Sequence, residues 1–266
     1  MENNEFKAIQ LGQSLDLETG EGVYLEVANA QVWLKKKVQT TELFYQYQPK
    51  KKNASPPKDA VWSKWVTMDK KIHVGFLPCL PEMPLQLTFK EPLFIPEGND
   101  IAFYYLFPAW ISIKLGKQLD ISLGEFPSML LSHTWNGNFF EGELIFEDFP
   151  EIYFEPMKNV DPAKITCPVE IVNKGNSNLV AGNQIVRLEN LGVYADGQNF
   201  YTNKIQFEYT KNDELTGVKF SQSFLKSIGK FTLIQKPKNP DKKSVLLKKI
   251  SPIIMRHTLS LPNPKI

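Results

Sequence analysis

Chemistry at neutral pH needs side chains that titrate, ligate or attack, and this 266-residue chain spaces such groups far apart. Its three histidines, His73, His133 and His257, have no second histidine, cysteine or carboxylate at the short intervals by which a protein grips a metal. His73 falls on the polar side of an alternating stretch and reads as an ordinary solvent-facing histidine. Cys79 and Cys167 are too few for a disulfide framework or a structural zinc site, and they read as buried thiols. The chain contains no Gly-x-x-x-x-Gly-Lys, no Gly-x-Gly-x-x-Gly and no Gly-x-Ser-x-Gly. Phosphate-cradling loops and nucleophile elbows therefore have no support. The expectation is no cofactor, no metal and no catalytic residue.

Three clusters merit weighing against that expectation. Carboxylates crowd FEGELIFEDFPEIYFEP at Glu141, Glu143, Glu147, Asp148, Glu151 and Glu155. Two of them could serve a carbohydrate-active enzyme as an acid–base pair if their environments split their proton affinities, with Glu141 and Glu143 as the candidates. The competing explanation is the solvated face of an alternating strand carrying both residues. Trp62 and Trp65 in WSKW could form a stacking platform, but their opposite strand parity sends one toward a core and the other toward a loop. The third cluster is the basic end. Residues 226–266 hold ten lysines or arginines against the single acid Asp241, a local balance of +9, so that with +2 overall the remaining chain carries −7. Lys236, Lys238, Lys242, Lys243, Lys248 and Lys249 are candidates to meet an anionic surface. That surface is the acidic body itself, a partner or lipid headgroups, where each lysine contributes on the order of 1 kcal/mol. Nucleic acid is disfavoured, because no aromatic platform interleaves with these lysines. The competing explanation is a last strand and a solvated tail.

The elements that must position these groups read as strands. Apolar residues alternate at Val23, Leu25, Val27; at Ile72, Val74, Phe76; at Leu85, Leu87, Phe89; and at Ile101, Phe103, Tyr105, Phe107. The pattern continues at Ile111, Ile113, Leu115; at Leu119, Ile121, Leu123; and at Ile205, Phe207, Tyr209. A period of two puts each set on one face of a strand. Asn-Gly at 136–137, Asp-Gly at 196–197 and Lys-Gly-Asn at 174–176 supply the positive-φ positions of tight turns. Nineteen prolines leave little room for long helices. Residues 48–59 read as a polar, basic, mobile loop.

These signals predict an all-β fold with few short helices. Its predicted parts are two antiparallel β-sandwich domains, at 1–136 and 137–240, followed by a basic terminal segment at 241–266. The composition, 42% hydrophobic and 23% charged, suits a folded core. The opening MENNEFKAIQLG lacks the basic start and apolar run of a secretion signal, and no apolar run reaches a membrane span, so the expected location is the cytoplasm.

The stretch from ITCPVEIVNKGNSNLVAGNQIVRLENLGVYADGQNFYTNKIQFEY to LTGVKF resembles a family of archaeal and bacterial proteins of about this length, known only as a domain of unknown function. The upstream PLQLTFKEPLFIPEGNDIAFYYLFPAWISI is similar to that family's earlier half, so the resemblance covers residues 75–220. It implies a β-rich fold and a prokaryotic source, and transfers no catalytic residue. It also implies a membrane-associated partner, through a loose association of the family with genes for small mechanosensitive channels. The long basic end departs from the family's pattern. The function expected from all this is a non-enzymatic binding or accessory protein with a protein partner and peripheral contact with an anionic membrane. A carbohydrate-active enzyme or sugar-binding module is the alternative.

Overall fold

The computed structural model describes residues 6–49, 53–149, 151–157, 160–197, 199–210, 215–222, 225 and 229–240. Alternation becomes strand almost everywhere: among the described residues twenty-two strands form, and no helix reaches seven residues. The predicted all-β fold is the one observed.

The first sheet has the order β1 (Phe6–Ile9), β3 (Gly22–Val27), β4 (Ala30–Lys36), β5 (Thr40–Tyr47), β6 (Ser63–Val66). The second runs β12 (Ile121–Pro127), β11 (Trp110–Leu115), β7 (Lys71–Cys79), β2 (Gln13–Glu18). The largest is built on β15 (Lys164–Asn173). One edge of β15 takes β10 (Asp100–Pro108) over nine residue pairs, and the other takes β19 (Phe200–Thr202) and β20 (Lys204–Tyr209) end to end. Outward from these lie β21 (Leu215–Ser221) on β20, and β18 (Val193–Ala195) then β22 (Thr232–Gln235) on β19. The fourth sheet has the order β13 (Ser132–Asn136), β14 (Glu143–Asp148), β8 (Leu85–Leu87), β17 (Gln184–Val186). A short pair, β9 (Leu93–Ile95) and β16 (Leu179–Ala181), completes the set. Most ladders are antiparallel; β1–β3, β8–β14, β15–β19 and β15–β20 are parallel.

The boundary expected at 136–137 falls inside the β13–β14 hairpin, whose two strands pair from Ser132↔Glu147 to Asn136↔Glu143. The long β10–β15 ladder also crosses it, and one core cluster runs from Ile9 to Tyr209. Residues 1–136 and 137–240 therefore share ladders and a core, instead of closing two separate sandwiches. The physical reason is pairing partner: alternation shows that a strand has an apolar face, but not which distant strand satisfies its edge.

The chain passes from β10 in the largest sheet to β11 in the second through one residue. Ala109, fully buried between β10 and β11, donates its N–H to the carbonyl of Ala163 at 2.8 Å and accepts a bond from Ser128 Oγ. The Ser128 carbonyl in turn accepts from the Asn29 amide at 3.1 Å, so the first sheet is tied to the same corner.

Along β10, Phe103, Tyr105 and Phe107 point into the core opposite Val169, Cys167 and Ile165. Tyr105 is fully buried, its hydroxyl has no hydrogen-bond partner among the described residues, and burial holds its proton on. An orphaned buried hydroxyl is a cost without return. Tyr105→Phe is therefore expected to leave stability unchanged or raise it by about 1 kcal/mol in urea denaturation. A loss of that size instead would mean that the hydroxyl is bonded.

Both thiols are free and buried. Desolvation raises the pKa of each, that of Cys167 to about 12. Lys36 is also buried, and its ammonium donates to the Lys37 carbonyl at 2.6 Å, the Thr67 carbonyl at 3.0 Å and Thr67 Oγ1 at 3.1 Å. All three donors are satisfied, which lets a cation sit inside the sheet.

Candidate functional site

The segment LSHTWNGNFFEGELIFED folds as a hairpin that projects aromatic side chains into solvent. Its root is fixed by the parallel pairing of β14 with β8 and by the Phe146 amide bonded to the Pro84 carbonyl at 2.8 Å. One side of the hairpin faces the body. Ile145 is fully buried there, Glu143 receives both arms of the Arg187 guanidinium at 2.8 and 2.5 Å, and Ser132 Oγ donates to the Glu147 carbonyl at 3.1 Å. A two-armed guanidinium–carboxylate bond fixes orientation as well as distance, so Arg187 acts as a brace.

The opposite side carries a stripe of rings. Phe146 packs on Trp110 with ring centres 6.0 Å apart, and His133 lies 4.8 Å from Phe146. Farther out, Trp135 and Leu144 face each other across the ladder, half exposed. Beyond them the loop Gly137–Gly142 is closed from within. Asn138 Oδ1 accepts the amides of Phe140 and Glu141, both at 2.9 Å, and the Asn138 carbonyl accepts from Trp135 Nε1 at 3.2 Å. Gly137 has a φ of +106°, and at Gly142 a Cβ would stand 2.2 Å from Trp135 Nε1, so only glycine fits either place. With the backbone so held, Phe139 and Phe140 are thrown outward, 87% and 92% exposed, their rings perpendicular at 5.4 Å.

The carboxylates of this region do not converge. Glu141 lies in the hairpin loop and not on a strand, because Asn138 bends the chain before β14 begins at Glu143. Glu143 holds Arg187, Glu147 accepts from Gln86 at 3.2 Å, and Tyr153 donates to Glu151 at 2.8 Å. Burial pushes the Asp148 carboxyl up, against the amide of Phe149 and the more distant Lys164.

Other candidates are placed as follows. His73 Nδ1 lies 2.7 Å from Asp16 Oδ1, and Lys71 reaches the other oxygen of that carboxylate at 3.0 Å. Lys71 and then His73 hold Asp16 below its ordinary range. Among the described residues no three His, Cys, Asp or Glu gather as a metal set. Trp65 packs on the core, whereas Trp62 stacks on Phe6 and meets Phe44 at a tilt, with Lys35 Nζ 3.7 Å from the centre of its ring. Lys236 is exposed. Lys238 pairs with Glu125 and lies 3.7 Å from Glu82, and the next residue, Asn239, donates its amide to the Glu189 carbonyl at 2.9 Å. Lys242, Lys243, Lys248 and Lys249 lie outside the described residues. No helix among the described residues is long and apolar enough to cross a membrane.

Sequence reasoning marks Asn136–Gly137 as a turn but passes over Phe139–Phe140 within it. The available signal is two phenylalanines inside a loop of asparagine, glycine and glutamate, where turn chemistry calls for polar residues.

What these features define is an all-β protein of several shared sheets with a braced, aromatic-tipped hairpin. The chain belongs to the family described as a protein of unknown function, DUF432, whose model matches residues 13–256. No curated protein and no solved structure matches it.

Proposed function

We propose that this protein is a non-enzymatic binding or accessory protein of the prokaryotic cytoplasm that docks a protein partner through the β13–β14 hairpin. The observation that carries this reading is the pair Phe139 and Phe140, nearly fully exposed on a loop that Asn138 holds through the amides of Phe140 and Glu141. Rigid aromatic anchors lose little entropy on burial and dominate the energetics of docking. Two free, buried thiols suit a reducing compartment. Exposed Lys236 supports a secondary contact with an anionic surface, while Lys238 is already engaged by Glu82 and Glu125.

The test is site-specific photo-crosslinking in the native cell. A benzophenone side chain at position 139 is expected to give one discrete protein adduct, and the same group at Val61, 84% exposed on another loop, is expected to give none. Identical labelling from the two positions would remove the hairpin as a docking element.

A further inference from the structure

We propose that the partner of this hairpin is a second copy of the chain, joined edge to edge through β13. The inference rests on the docking role assigned to the hairpin and adds the identity of its occupant.

β13 ends its sheet, with β14 on one side and, among the described residues, nothing on the other. An open edge is a template for another strand, and proteins ordinarily guard it with lysine, proline, a bulge or sheer shortness. Among the described residues the other sheet ends are charged, short or covered: the outer edge of β10 is met at Tyr104 by Tyr153, the two exchanging both backbone bonds, and β9 and β16 have three residues each. β1 carries Lys7, β6 carries Lys64, β2 carries Asp16 and Glu18, and β21 carries Gly217 and Lys219. β12 carries Glu125 and Pro127 and a register shift against β11, while β17 and β22 are only three and four residues long. β13 reads Ser-His-Thr-Trp-Asn, with no acid, lysine, arginine, proline or glycine, and its ladder with β14 runs without a shift.

Such a strand suits its own copy in particular. Antiparallel pairing about a two-fold axis at Thr134 sets that residue against itself, His133 against Trp135 and Ser132 against Asn136. No formal charge meets its like at any position, whereas a lysine-bearing edge would bring like charges near the axis. The flanks are complementary too. Leu130, 61% exposed, precedes β13, and Phe139 and Phe140 follow it. The antiparallel arrangement carries the aromatic tip of each copy toward the exposed Leu130 of the other, twice over. The product is one continuous sheet made from two four-stranded ones.

Light scattering on the full chain is expected to give a mass twice the 30.5 kDa protomer, falling toward the protomer on dilution. The double variant Ser132→Lys/Asn136→Lys sets lysine against lysine at two places and is expected to weaken the dimer roughly tenfold or more. Ser132→Lys/Asn136→Glu sets lysine against glutamate at those places and is expected to restore it. Circular dichroism of both variants establishes that each is folded. In the native protein, the adduct from position 139 is expected to be a dimer of this chain crosslinked near Leu130. A protomer mass at every concentration, or equal dimerisation of the two variants, overturns the proposal. An adduct with a different protein overturns it too, yet leaves the docking role intact. An adduct pattern shared with position 61 removes both.

Discussion

Asn173→Ala is expected to be among the most damaging single substitutions in this protein, lowering stability by about 3 to 5 kcal/mol. Asn173 ends β15 and is 2% exposed. Its Nδ2 donates to the carbonyls of Ile95 at 3.0 Å, Pro96 at 3.1 Å and Ser177 at 2.8 Å, while its Oδ1 accepts the Gly175 amide at 2.9 Å. Two protons thus serve three carbonyls from β9, its outgoing turn and the loop before β16. Alanine removes every one of these bonds and leaves the Ile95 carbonyl in a buried site, the circumstance in which a lost bond costs its full desolvation penalty, while the groups of Pro96, Gly175 and Ser177 are left nearer solvent. Aspartate keeps the bond from Gly175 but turns an anion toward three carbonyl oxygens, so Asn173→Asp is expected to be at least as destabilising at neutral pH. Thermal melting checks both, with a fall of roughly 6 to 15 °C expected for the alanine variant. A melt within experimental scatter of the parent would show that the three carbonyls find other donors.

Glu42→Gln is expected to cost about 2 kcal/mol at neutral pH and to flatten the protein's acid sensitivity. The Glu42 side chain is 4% exposed and lies between two cross-strand neighbours, Lys35 on β4 and Lys64 on β6. Lys35 approaches it at 3.2 Å, Lys37 at 3.4 Å and Lys64 at 3.8 Å. Removing one partner of a buried pair strands the other. The cost falls below that of a sealed pair because Lys37 and Lys64 are more than half exposed. Burial alone would raise the Glu42 carboxyl, but Lys35 foremost and Lys37 with it hold it below its ordinary value of 4.5. A carboxyl depressed in the folded state binds fewer protons there than when unfolded. Its stabilisation is therefore complete above about pH 4.5 and disappears as pH falls through the lower folded value. Urea denaturation across the acid range should show the parent losing stability faster than Glu42→Gln as the pH drops. Parallel curves would mean that the three lysines do not act on this carboxylate.

How much of this was legible depended on burial symmetry. β10 and β20, and β7 over its first residues Lys71–His73, have one wetter face, and the alternations at Ile72, Phe103 and Ile205 place them correctly. β4 and β15 are buried on nearly all sides, so their residues carry little period-two contrast to read. Leu119 continues an apparent alternation but sits at φ +53° in a turn, and β12 begins two residues later. Periodicity is blind to a backbone that reverses between apolar residues. Of the candidate sites, the turn at Asn136–Gly137 was legible from its dipeptide. The brace from Arg187 to Glu143 was not, since 44 residues separate the pair and nothing local announces it. Lys238 was legible as a cation needing an anion; which anion depended on the fold bringing Glu125 and Glu82 to it.

The single buried residue between β10 and β11 also sets an order in time. β11 needs only β7 and β12, both complete by Pro127, so the second sheet can assemble while the chain is still emerging from the ribosome. β10, joined to it through Ala109, must wait for β15 and cannot close its ladder until Asn173 is free. During that interval the segment Ile-Ala-Phe-Tyr-Tyr-Leu-Phe stands next to finished structure with its edge bare and its aromatic face wet. Uncharged, strand-forming runs of this kind are where nascent chains stick to one another. The same one-residue joint that locks two sheets together in the finished molecule thus makes its synthesis most vulnerable over the residues between Pro108 and Asn173.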